Sequence, residues 1–259
     1  MNLKDKVVVI TGGASGLGEA AARYLVNEKS AKVAIIDLNA ARGAQIVADL
    51  GADKVMFCET DVRVEASIEA AINAIITKFG AIHGDINAAG IPGMFKVLDK
   101  EGRASSSLKK FSDIIDINLK GVFYVMAKCV EQMAKNEPDE NGERGAVINI
   151  SSGAAECGQI GQSSYSASKA GINGMNMPLA RELGAVGVRV NSIAPGLFET
   201  PLLKAQPQPF IDKLVTAIEA PKRLGRGTEF AHACAFLLEN SYMNGRTMQL
   251  DAATILQAR

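Results

Sequence analysis

The sequence predicts an α/β protein whose parallel sheet is covered by helices on both faces. Two observations lead there. Short β-branched runs alternate with segments of helical apolar spacing along most of the chain, and a glycine-rich turn joins the first run to the first helix. Composition agrees. The chain has 259 residues, 47% hydrophobic and 22% charged, which suits a globular body with a sizeable core and excludes disordered, collagen-like and coiled-coil chains. Lysine plus arginine number 28, as do aspartate plus glutamate, so the net charge is zero. No overall field attracts nucleic acid, and little self-repulsion opposes association. No internal repeat or linker divides the chain, so a single domain over 1–259 is expected.

The elements follow in order. Val7, Val8, Val9 and Ile10 form a strand run closed by the turn residues Thr11, Gly12 and Gly13. Residues 17–27 carry apolar positions at helical spacing. A strand is expected over 32–37, a helix over 40–50, a strand over 54–58, a helix over 67–79 and a weaker strand over 82–88. A long helix over 111–133, a strand over 146–150, a helix over 166–183 and a strand over 188–193 continue the rhythm. Two stretches break it. Residues 91–110, opening Ile-Pro-Gly and then rich in Lys and Ser, read as an insertion loop. Residues 195–221 hold five of the eight prolines and follow a strand's C-terminal end, where sheets of this kind bind ligands. That segment reads as a substrate lid, the alternative being an irregular surface loop. Cys58, Cys129, Cys157 and Cys234 match no zinc or redox spacing and read as buried, reduced thiols of a cytoplasmic protein. The N-terminus carries no signal or transit pattern, and no run of 18 apolar residues suggests a membrane span.

The motifs carry chemistry. In TGGASGLG at 11–18, Gly12, Gly16 and Gly18, with Ser15 and Leu17, follow a strand and open a helix. Such a turn brings backbone N–H groups and a helix N-terminus against a pyrophosphate. Asp37 ends the second strand 19 residues after Gly18, where a carboxylate accepts from both hydroxyls of an adenosine ribose and repels a 2′-phosphate. Ala14, Ser15, Leu38 and Asn39 stand where a cation would serve NADP, and Arg42 reads as a solvated helix residue, so NAD is the expected cofactor. Asp37 could alternatively cap the next helix. Asp61 is placed to accept from the adenine amino group with Val62 against the ring, although Asp is common after strands. Asn87, Ala88 and Gly90 close the fourth strand with small residues that let a cofactor pass, or form a plain turn. Tyr165 and Lys169, in YSASK at 165–169, share one helix face. A neighbouring ammonium and a positive nicotinamide would acidify the phenol. Ser152, 13 residues earlier and just beyond a strand, reaches the same pocket and holds the substrate oxygen; Ser151 is its competitor.

Taken together, TGGASGLG, NAAG at 87–90, INLKG at 117–121, Ser152, YSASK, Pro195-Gly196 and Thr200 resemble the short-chain dehydrogenase/reductase family over essentially the whole chain. NEPD at 136–139, GERGAVIN at 142–149, SIAPGLF at 192–198 and TPLL at 200–203 are similar to its type II 3-hydroxyacyl-CoA dehydrogenase branch. The resemblance implies a Rossmann-type domain with a seven-stranded, mostly parallel sheet in the order 3-2-1-4-5-6-7, usually as a homotetramer. It implies Tyr165 as general acid/base, Lys169 on the nicotinamide ribose, Ser152 orienting the substrate and Asn118 holding a relay water. Pro195, Gly196, Phe198 and Thr200 then flank the nicotinamide, and Gln162 faces the reacting group. The branch oxidises the 3-hydroxyl of an acyl-CoA, a step of fatty acid metabolism, with NAD and no metal. Lys96, Lys100, Arg103, Lys109 and Lys110 would meet CoA phosphates or be plain surface cations. Alternatives are another secondary alcohol such as a hydroxysteroid, reduction of a 3-ketoacyl thioester, or an NAD-binding scaffold. Two departures stand out: Ala88 replaces a usual second Asn, and His83 and Asp85 fall in a normally apolar strand. Asp85 must then be paired or protonated, and His83 structural.

Overall fold

In the computed structural model, residues 1–105 and 107–255 are described, the side chain of Leu202 excepted. Among them, seven strands form one sheet in the order β3-β2-β1-β4-β5-β6-β7. The strands are β1 Val7–Thr11, β2 Lys32–Asp37, β3 Val55–Glu59, β4 Gly84–Asn87, β5 Gly145–Ile150, β6 Val188–Pro195 and β7 Thr247–Leu250. Every pairing is parallel. The expected order stands, and the sheet is wholly parallel rather than mostly so.

Alternating strand side chains feed two apolar layers. Val8, Ile10, Ile35 and Ile86 pack with α1 (Gly16–Lys29) and α9 (Gly227–Glu239) through Ala22, Leu25, Phe230 and Leu237, with Ile46 of α2 (Ala40–Leu50) beside them. Val7, Val9, Ile36 and Val147 pack on the opposite face with α3 (Glu65–Phe79) and α5 (Val122–Met133) through Ile68, Ile72, Val125 and Met126. The expected elements are present, their ends shifted by a turn or less. The helix expected over 111–133 starts earlier, as α4 (Leu108–Ile115), where the Ser107 hydroxyl accepts from the Lys110 N–H at 3.2 Å. It then widens into a π-helical turn, Asp116–Gly121, before α5. α6 spans Ser163–Gly184.

Apolar periodicity left α9 and β7 unplaced. α9 buries Phe230, Ala231, Ala233, Cys234, Ala235, Leu237 and Leu238, and its exposed stripe includes Phe236 at 41%, so the apolar contrast in the sequence is weak. β7 is four residues long and includes Thr247 and Gln249. The range 195–221, expected to be a lid, contains two short helices, α7 (Pro201–Lys204) and α8 (Gln208–Val215). In the 91–110 insertion, one bridge joins Leu98 to Ala104, and Ser106 lies outside the described residues. Cys129 and Cys234 are buried as expected, but Cys58 is half-buried and Cys157 exposed, because Cys157 sits on the open loop beyond β5. No helix among the described residues is long and apolar enough to cross a membrane.

Asp85 of β4 and His83, which just precedes the strand, find structural partners. Asp85 is fully buried and accepts from the Asn87 amide at 2.6 Å; burial pushes its carboxyl up to about 7. The His83 Nδ1 accepts from the Val7 N–H at 3.2 Å, and burial lowers that ring to about 4, keeping it neutral.

Candidate active site

Parallel strands expose their last residues at one edge, and here those ends line a groove of about 530 Å³. β1 delivers the glycine turn. Gly12 has φ +66°, and a Cβ there would meet the Ala88–Ala89 backbone at 2.8–2.9 Å. At Gly18 a Cβ would stand 2.3 Å from the Gly12 carbonyl, so only glycine lets α1 start this close to β1. The Thr11 hydroxyl accepts from the Ala89 N–H at 3.0 Å, tying the end of β4 to the same turn.

Asp37 closes β2. One carboxylate oxygen accepts from the Ala14 N–H at 3.1 Å and the other from the Asn39 N–H at 3.0 Å. The cap of α2 is Asn39, which accepts from the Arg42 N–H at 3.0 Å, so the capping alternative for Asp37 falls away. Asp61 and Val62 border the groove, but the Asp61 carboxylate is held by Arg63 at 2.5 Å, which lowers its pKa. A Gly12-type cradle, a helix N-terminus and a ribose-ready carboxylate along one groove fit a dinucleotide.

β5 ends at Ile150, and Ser152 caps the short turn Gly153–Ala155, accepting from the Ala154 N–H at 3.1 Å. The Ser151 hydroxyl is taken up by the Lys169 carbonyl at 3.1 Å, which leaves Ser152 to the pocket. Tyr165 and Lys169 project from α6. The Lys169 amine, 5.7 Å from the Tyr165 ring centre, donates to the Ile150 carbonyl at 2.7 Å. Burial lowers Lys169 to about 8. Burial also raises Tyr165, and the bond with Ser152 offsets this only in part. The expectation that the adjacent ammonium acidifies the phenol is therefore corrected for the chain by itself. Lys169 is turned to a carbonyl, and desolvation dominates both groups.

Of the residues singled out in the sequence, Gly12, Ser15, Gly16, Leu17, Gly18, Asp37, Asp61, Val62, Ala88, Gly90, Ser152, Tyr165, Lys169, Pro195, Gly196 and Thr200 line the groove together. Three do not. The Asn87 amide donates to Asp85 and to Asn149 at 3.0 Å inside the core. Phe198 is buried edge-on against Phe230, with ring centres 6.3 Å apart. Asn118 is buried in the π-helical turn, accepting from the Ile91 N–H and donating to the Ile91 carbonyl, both at 2.9 Å. Gln162 lines a second pocket of about 250 Å³ that shares Ser152, Tyr165, Pro195 and Gly196 with the groove. Cys157, Asp251 and Ile255 also line that pocket. They were not foreseen, because long-range folding brings them there and no local pattern marks them.

A family model described as short chain dehydrogenase matches residues 6–209. The chain is 40% identical over 256 residues to 3-hydroxyacyl-CoA dehydrogenase type-2 of Homo sapiens, covering 99% of this chain and 97% of that protein. It is 33% identical over 258 residues to acetoacetyl-CoA reductase of Synechocystis, covering 98% of each. The crystal structure of 3-hydroxyacyl-CoA dehydrogenase type-2 from Mycobacterium avium matches with a TM-score of 0.91 at 38% identity, covering 98% and 97% of the two chains. With its parallel sheet, its glycine turn and its Ser–Tyr–Lys cluster at the strand ends, the chain belongs to the short-chain dehydrogenase family and is an oxidoreductase.

Proposed function

We propose that the protein interconverts a 3-hydroxyacyl-CoA and a 3-ketoacyl-CoA using NAD. The observation that carries this reading is the placing of Ser152 and Tyr165 on the wall shared by the long groove and the smaller pocket. A cofactor in the first and a carbinol in the second would meet at these two hydroxyls. The bound nicotinamide supplies the hydride acceptor or donor. Tyr165 takes the carbinol proton in oxidation and returns it in reduction, the Ser152 hydroxyl positions the substrate oxygen, and Lys169 holds the nicotinamide ribose. The main supports for a thioester substrate are the similarity to 3-hydroxyacyl-CoA dehydrogenases and the apolar Leu197 and Met94 beside Gln162 in the pocket.

NAD is favoured over NADP by the Asp37 carboxylate at the groove. Asn118 is assigned to the relay through the π-helical turn that carries it, and residues 195–221 to a lid, since Thr200 and Pro201 lie 3.8 Å from where a Gly16 Cβ would stand. In the insertion, Arg103 pairs with Asp99 and Glu101 and Lys109 with Asp113, leaving Lys96, Lys100 and Lys110 as the proposed CoA phosphate contacts. A cytoplasmic homotetramer acting in fatty acid metabolism completes the reading. Comparing kcat/KM for 3-hydroxybutyryl-CoA and free 3-hydroxybutyrate tests it. The thioester should be strongly preferred, because the free acid brings an unmatched carboxylate and makes no CoA contacts. Equal values would remove the acyl-CoA assignment.

A further inference from the structure

We propose that Glu19 acts with Asp37 to set cofactor choice, by holding the Arg42 guanidinium away from the 2′ position of the adenosine ribose. The inference rests on the reading of the groove as an NAD site. Arg42 is exposed, as its sequence position suggested, but it is also paired. Its Nη2 lies 2.5 Å from Glu19 Oε1 and its Nε 3.3 Å from Oε2, a forked ion pair between the first turns of α1 and α2.

The placing gives this pair its meaning. Arg42 lies in the first turn of α2, its N–H donating to the Asn39 side chain at 3.0 Å while the Asn39 N–H donates to the Asp37 carboxylate at 3.0 Å, so one residue links the two. A guanidinium is permanently charged and presents a planar fork matched to phosphate oxygens, so a free arginine here would favour a 2′-phosphate. Glu19 opposes that recognition by engaging the fork and by adding a negative charge beside it. The Glu19 side chain is 15% exposed and that of Arg42 43%, so the carboxylate is held in the helix interface while the guanidinium borders solvent. Asp37 alone therefore does not exclude a 2′-phosphate in this chain; the neighbouring cation must also be withheld.

Arg23 provides an internal control. It too bonds Glu19, at 2.8 Å, but it also bonds Asp49 at 2.6 Å. Neutralising Glu19 thus removes the charge paired with Arg42, leaving Arg42 only the longer-range pull of Asp49, while Arg23 keeps Asp49 as a direct anchor. If the pair merely joined α1 to α2, its loss would change stability without changing discrimination between two cofactors that differ at one phosphate.

The test is equilibrium binding of NADH and NADPH by calorimetry, with folding checked by thermal melting. The proteins are wild type, Glu19→Gln, Asp37→Ser, Glu19→Gln/Asp37→Ser, and that double variant carrying Arg42→Ala. The ratio of the two dissociation constants cancels any general weakening of the groove. Adding Glu19→Gln to Asp37→Ser should shift the ratio towards NADPH by a further factor of about ten, the scale of one charge-assisted contact, and Arg42→Ala should erase that gain. A ratio indifferent to Glu19→Gln, or a gain that survives Arg42→Ala, overturns the proposal while a wild-type preference for NADH still stands. Wild type binding NADPH as tightly as NADH overturns both this proposal and the NAD reading.

Discussion

At the residue scale, desolvation is the dominant force on the catalytic candidates. It raises the Tyr165 phenol and lowers Lys169 to about 8, so the chain alone does not prepare a phenolate. The role proposed for Tyr165 then depends on its position against the reacting oxygen. Tyr165→Phe keeps the ring and its packing but removes the proton carrier. Turnover should fall by about 10²–10⁴-fold or more with the NADH dissociation constant little changed, as stopped-flow and titration would measure; a variant with most of its turnover refutes the assignment. Asp85 experiences the same force without a role in the site. Its folded pKa of about 7 stands above the ordinary carboxylate value, so ionisation opposes folding. Its favourable contribution is full in acid, below the unfolded pKa, and is lost as pH rises through about 7. Asp85→Asn keeps an acceptor for the Asn87 amide and has no charge to bury. Urea unfolding should show the variant gaining on wild type between pH 5 and pH 8, by something on the order of 2–4 kcal/mol. An identical pH dependence in the two proteins would mean that Asp85 is not titrating in the folded state.

At the element scale, the glycine turn, Asp37 and the YSASK helix were legible because each couples a local backbone requirement to neighbours in sequence. Gly12 needs a positive φ, and Tyr165 and Lys169 share a face through helix geometry alone. The π-helical turn was not legible. It depends on a contact 27 residues away, where the Asn118 amide matches both the N–H and the carbonyl of Ile91. That double bond fixes the root of the 91–110 insertion beside the groove. Asn118→Ala leaves the Ile91 N–H without its acceptor, a loss of about 1–3 kcal/mol for a buried donor. The insertion should then be cut faster in limited proteolysis than in wild type, and turnover should drop. Unchanged cleavage within 91–110 would show that the insertion is held elsewhere.

At the scale of the whole molecule, the sheet order was reached through the resemblance, while alternation alone supplied the parallel character and the two helical layers. α9 and β7 escaped the apolar pattern because the exposed stripe of one carries Phe236 among its polar residues, which blurs the contrast, and the other is short and polar. The surface raises a further question. A hollow of about 760 Å³ adjoins the groove at Val62 and Arg63 but lies away from Ser152 and Tyr165, between the π-helical turn, α5 and α6, lined by Val62, Leu119, Phe123, Tyr124 and Met175. Phe123 is 46% exposed there, and the rim carries Arg63, Glu65, Asp116 and Lys120, charges of both signs. An apolar centre with a mixed-charge rim suits a self-complementary interface, and a net charge of zero does not oppose it. The proposed homotetramer would use this face for one of its contacts. Light scattering at micromolar concentration should give a mass several times 27.3 kDa, and Phe123→Asp, which buries a charge in any such contact, should lower it. NADH binding should survive in the variant, because Phe123 does not line the groove. A wild-type mass of 27.3 kDa would exclude stable self-association, and an unchanged mass in Phe123→Asp would move the interface to another face.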